Sequence, residues 1–99
     1  MNKTQQREHE RALVEQDRMR RVHMHEVFDA LIAEQVMHAL GQPPRLIQVK
    51  VCWLWEDHYR VNVFSGEGIT SATIINSYFL VTDGNANIIS ATPTIRKEY

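Results

Sequence analysis

Ninety-nine residues make one domain, with a core that can bury roughly two-thirds of the surface exposed by the unfolded chain. Eleven basic and twelve acidic side chains leave a formal charge of −1, so no global field draws in nucleic acid or an anionic membrane. The single cysteine, Cys52, excludes an internal disulfide; the charged, polar start (Asn2 to Arg7) and the lack of a long apolar run predict neither a secretory signal nor a membrane span, hence a cytoplasmic protein.

Residues 1–21 hold six basic and four acidic side chains, interrupted only by Ala12, Leu13, Val14 and Met19. Glu15 with Arg18 and Asp17 with Arg21 stand at helix-stabilising spacings, so the segment reads as a charged helical or frayed arm. Arg11, Arg18, Arg20 and Arg21 form a local basic cluster there. Glu15 and Asp17 neutralise it and no aromatic residue interleaves to stack on bases, which favours a solvated helix face over a phosphate contact.

From Val22 to Leu40 the pattern is that of an amphipathic helix. Met24, Val27, Phe28, Leu31, Ile32, Val36 and Ala39 recur at three- and four-residue spacings and define one broad apolar face. Gln35 projects near the middle of that face, and His25 and Asp29 flank it, so polar contacts or bound water are expected there. Gly41 suits the left-handed residue that ends a helix, and Pro43 and Pro44 cannot continue one.

Beyond the prolines the period changes to two. Ile47, Val49, Val51, Trp53 and Trp55 alternate with polar residues over 45–56, and Tyr59, Val61 and Val63 alternate with Arg60 and Asn62 over 58–65. Ser65-Gly66-Glu67-Gly68 reads as a loop. A third strand over 70–81 is apolar on both sides, with Ile74, Tyr78 and Leu80 on one and Ile75, Phe79 and Val81 on the other. Asp83-Gly84-Asn85 marks a hairpin turn, and 86–92 gives a fourth strand that Pro93 places at an edge.

These elements predict an α+β fold: one long N-terminal helix packed on a four-stranded antiparallel β-meander that curls around it. A helix over 22–40 is about 28 Å long, close to the roughly 33 Å of a ten-residue strand. One helix covers one sheet face, yet Leu46, Leu54, Phe64 and one side of the third strand point the other way. That surplus predicts a second subunit, a ligand, or a strongly curled sheet.

Three chemistries can be read into the residues. Five histidines (His9, His23, His25, His38 and His58) invite a metal site, but none repeats at zinc-ligand spacing, and Glu34 with His38 or His25 with Asp29 reads as a surface pair; no metal and no cofactor is expected. An acid–base enzyme would draw on His25 and Asp29, or on Asp57 and His58, beside a cavity in the sheet. Ser65 has glycine on one side only and precedes no predicted helix, so there is no nucleophile elbow or phosphate loop, and Cys52 reads as a quiet thiol. The favoured reading is a small soluble, non-catalytic binding domain. It forms a homodimer through the second sheet face and the arm, with Leu13, Val14, Leu54, Phe64 and Tyr78 at the interface. The alternative is a pocket for a small apolar molecule between helix and sheet, lined by Phe28, Leu31, Trp53 and Trp55 with Gln35 orienting the ligand.

Overall fold

The change of period at Gly41 to Pro44 is where the chain reverses from helix to sheet. The structure, a computed structural model, describes residues 24–99; Leu13, Val14, His9, His23 and the rest of the expected arm lie outside the described residues. Helix α1 occupies residues 24–40. Gly41 closes it with φ +85°, donating its N–H to the Met37 carbonyl at 2.9 Å. Strands β1 (Leu46–Trp55), β2 (His58–Ser65), β3 (Thr73–Thr82) and β4 (Ile88–Thr92) follow, with one turn of 3-10 helix at Ile69–Ser71. They form one antiparallel sheet in the order β1-β2-β3-β4, which is open and has β1 and β4 as its edges.

The core lies between α1 and one face of this sheet. Ile32, Val36 and Leu40 reach down from the helix to Tyr59, Val61 and Val63 of β2 and to Tyr78 and Leu80 of β3, all buried. Alternation explains the choice: Arg60 and Asn62, between the buried β2 residues, stand opposite Phe79 and Ser77 of β3 on the other face. Tyr78, expected at an interface, is only 3% exposed and belongs to this core. Of the grouped residues Ile74, Tyr78 and Leu80, the last two share the buried side of β3; Ile74 departs from them, because a register shift between Val63 and Phe64 sets Ile74 opposite Phe64 and leaves it 52% exposed.

A second register shift corrects the reading of the two tryptophans. Trp53 pairs with Tyr59 but Trp55 pairs with His58, so two residues of β1 oppose one of β2. The bulge turns Trp55 away from the face that Trp53 shares with the helix. Trp53 lies 5.0 Å from the His25 ring of α1, whereas Trp55 stacks on His58 at 4.5 Å.

The β3–β4 connection is longer than a two-residue turn. The Asp83 carboxylate accepts the amides of Asn85 and Asn87, both at 2.9 Å, and the Asn87 side-chain amide at 3.0 Å, which holds residues 83–87 as a closed loop and delays β4 to Ile88. These three hydrogen bonds, first that from the Asn87 side chain, hold the Asp83 carboxyl below the usual carboxylate range. After β4 the chain runs back to the end of α1, where Glu98 N–H and Tyr99 N–H both donate to the Leu40 carbonyl, at 2.9 and 3.1 Å.

Candidate functional site

The residues singled out in the sequence fall into three places. The first is the sheet face away from α1. Trp55, His58 and Phe79 form an aromatic cluster there, with Trp55 and His58 nearly parallel (18°) and Phe79 5.9 Å and 5.6 Å from them. His58 Nδ1 lies 3.2 Å from the Trp55 carbonyl oxygen, which can only accept; the bond therefore requires the proton on Nδ1. Beside the cluster, Arg60 donates to Ser77 Oγ at 3.3 Å, and Ser77 donates to Asn62 Oδ1 at 2.6 Å. Leu54, the extra residue of the β1 bulge, is 39% exposed and Trp55 51%. Phe64 is half-buried further along the sheet.

The second place is the corner where the start of the described helix meets β1 and β2. His25 and Asp29, one helical turn apart, come together with Trp53 and Tyr59. His25 Nδ1 and Asp29 Oδ1 are buried without a hydrogen-bond partner among the described residues. Burial raises the Asp29 carboxyl above its ordinary value; the charge of His25 opposes this and that of Glu26 adds to it. Tyr59 is raised in the same way, first by burial and then by the charges of Asp29 and Asp57. Asp57 and His58, although adjacent in sequence, do not join this corner as a unit. Asp57 is an exposed hairpin residue whose carbonyl accepts the Thr82 N–H at 2.9 Å, and His58 stacks on the opposite face.

The Asp29 geometry carries a pH prediction. A carboxyl whose pKa is higher in the folded than in the unfolded chain contributes most stability below its unfolded value near 3.8, and that contribution is lost as pH rises through the raised folded value. Asp29→Asn is therefore expected to stabilise the protein at pH 7, by at most about 1 kcal/mol for a half-buried group. Its advantage over the parent should shrink as urea unfolding is repeated toward pH 4. An advantage that stays constant over this range would mean that desolvation of the carboxylate is not what the substitution relieves.

The third place is an open groove of about 750 Å³ between α1 and β4. Leu31, Glu34, Gln35 and His38 form its helical wall; Ile88, Ile89 and Ala91 form the other, and Ile95 of the returning tail also lines it. Of the five expected pocket residues the groove brings together only Leu31 and Gln35. Phe28 packs against the core, Trp53 stands beside His25, and Trp55 is across the sheet. Gln35 is also fully engaged: its Nε2 donates to the Ala86 carbonyl at 2.7 Å and to the Leu31 carbonyl at 3.2 Å, and its Oε1 accepts the Ile88 N–H at 3.0 Å. The polar residue in the apolar face is thus a clamp between α1 and the start of β4. The groove's strand wall was not anticipated. Its signal was the adjacent pair Ile88-Ile89, which cannot both face the core in a regular strand; a register shift between Val81 and Thr82 accommodates the extra residue and leaves Ile89 65% exposed.

No protein family, curated protein or solved structure matches the chain. Among the described residues no group of three or more His, Cys, Asp or Glu could hold a metal ion, and no helix is long and apolar enough to cross a membrane.

Proposed function

We propose that the protein is a small interaction domain that self-associates through the sheet face opposite α1. The observation that carries this reading is the Trp55–His58–Phe79 cluster, which sits on the uncovered face with Trp55 half exposed. Large exposed aromatic rings with polar groups beside them are common anchors of an interface, and this cluster stands at the β1–β2 hairpin end of the face. The charges around the cluster suit a two-fold arrangement: Lys50 and Arg60 are exposed on β1 and β2, and Glu56 and Asp57 are exposed on the hairpin joining them, so apposed copies can set unlike charges against each other. Curling of the sheet around α1 belongs to the same reading. The bulges at Trp53/Trp55, Val63/Phe64 and Val81/Thr82 bend their strands, and a curved sheet would present the cluster on its convex side.

Light scattering at micromolar concentration tests the assembly. The expected mass is twice 11.6 kDa for the parent chain and 11.6 kDa for Trp55→Glu, which places a charge in the patch without touching the core. Trp55→Glu should weaken the dimer by about tenfold or more, as loss of an aromatic anchor does. A parent chain that runs as a monomer overturns the proposal, and so does a Trp55→Glu chain that remains a full dimer.

A further inference from the structure

The geometry points to the groove between α1 and β4 as a binding site for an extended peptide, which adds as a fifth strand to the free edge of β4. Three observations meet there. The first is the state of the edge. Thr82 donates its N–H to the Asp57 carbonyl at 2.9 Å, so the main chain of Thr82, and by alternation that of Leu80, is turned toward β2. Leu80 pairs with Ala91, which therefore forms a pair without mutual hydrogen bonds and turns its own N–H and C=O outward, to the groove. Ala91 lines that groove.

The second observation is Gln35. Its carboxamide donates to Ala86 O and accepts from Ile88 N, the two bonds that the N–H and C=O of one residue of a neighbouring parallel strand would make to this edge. The chain thus already completes the first step of strand addition with a side chain, and Ala91 is the next outward position along β4. A sheet edge facing a helix across a groove is the arrangement in which added strands are held: main-chain bonds give the affinity, and every second side chain enters the space against the helix. Beyond Ile88, which Gln35 engages, β4 continues to Thr92, so the free edge spans about 13 Å and accepts a peptide segment of about four residues.

The third observation is the chemistry of the walls. Leu31, Ile88, Ala91 and Ile95 offer apolar surface to the alternate residues of the peptide. Among the described residues lining the groove, Glu34 is the one carboxylate, and there is no lysine or arginine. The occupant is accordingly a strand-forming peptide with apolar residues at alternate positions and a lysine or arginine placed to reach Glu34. The site does not use the aromatic face, so the outcome of the dimerisation experiment leaves it intact.

Selection of random heptapeptides displayed on phage against the full-length protein tests this site. Enrichment of alternating apolar residues with one basic residue is expected, and Glu34→Lys should shift the preference from basic to acidic residues. A synthetic copy of the enriched peptide should protect the Ala91 amide from hydrogen exchange. It should lose about tenfold or more in affinity against Leu31→Glu, a substitution at a position 41% exposed, and likewise when its alternate backbone nitrogens are methylated. Unchanged melting curves for Leu31→Glu and Glu34→Lys separate loss of binding from loss of fold. The proposal is overturned if no peptide family is enriched, if preference is indifferent to Glu34→Lys, or if the amides that respond lie on β1 or the aromatic face. Stabilisation by small apolar compounds without peptide enrichment would assign the groove to a small molecule instead.

Discussion

Gly41→Ala is expected to lower stability by about 2–4 kcal/mol and the melting temperature by on the order of 10–20 °C. Two costs combine at this position. The residue holds φ +85°, where a side chain costs about 1–2 kcal/mol. In addition, a Cβ built there would stand 2.5 Å from the Tyr99 carbonyl carbon and 3.1 Å from its Cα, so the returning tail must move. Moving it endangers the bonds from Glu98 N–H and Tyr99 N–H to the Leu40 carbonyl, each worth about 1 kcal/mol. Gly84→Ala is the control: nothing lies within 4 Å of its added Cβ and its φ is unremarkable, so the change should stay within about 0.5 kcal/mol. A double-mutant cycle separates the two costs at Gly41. Removing Tyr99 should reduce the penalty of Gly41→Ala, because the clashing atoms are gone. A penalty that is the same with and without Tyr99 would assign the whole effect to backbone conformation.

The same glycine shows why the fold was legible and where legibility stopped. The stop at Gly41 followed from local chemistry: a residue free to adopt positive φ, then prolines that cannot extend a helix. The order of helix and four antiparallel strands followed from the change of period alone. What Gly41 meets in space, the Tyr99 main chain 58 residues downstream, leaves no local trace, because the tail's path is set by its bonds to Leu40. The errors about faces share one cause. Period-two counting assumes an unbroken ladder, and each bulge inverts the parity beyond it. Trp55 and Ile74 lie just past such shifts and changed sides; Tyr59, Val61 and Val63, within a regular stretch of β2, did not. The candidate site was legible to a lesser extent. Leu31 and Gln35 were identifiable from their helical azimuth, but their counterparts Ile88, Ile89 and Ala91 depend on how the Asp83 loop positions β4, which is a matter of side-chain-to-backbone bonds and not of hydrophobic pattern.

The two uncovered regions of the sheet also divide the possible partners. The aromatic face carries exposed charges of both signs, Lys50 and Arg60 with Glu56 and Asp57, and on the proposal made above it meets a copy of itself. The β4 edge is short, lies in a concave groove and offers main-chain groups that a flat surface cannot reach. Strands left open in this way are hazards for uncontrolled pairing unless something blunts them. On β4 the blunting is partial and is supplied by Gln35.

Gln35→Ala is therefore expected to cost about 2–3 kcal/mol, with the loss concentrated in residues 83–88. The substitution leaves the Ala86 carbonyl and the Ile88 N–H without partners in a region where Ala86 is fully buried. It also releases a non-glycine residue that the fold holds at φ +64°, so the loop should relax locally before the core opens. Hydrogen exchange at Ile88 should accelerate more than exchange at Val61. Gln35→Glu offers a sharper test, since its ionised carboxylate can still accept from Ile88 N–H but cannot donate to Ala86 O and would face that carbonyl with like charge. Only the protonated form restores the donor, so the folded chain should hold that proton more tightly than the unfolded one. The stability it provides is then fully present below the ordinary glutamate value of about 4.3 and is lost as pH rises through the raised folded value. Urea midpoints of Gln35→Glu should accordingly approach those of the parent at pH 4 and fall toward those of Gln35→Ala at pH 7. Equal midpoints for Gln35→Ala and the parent would mean that water replaces both ends of the clamp without loss.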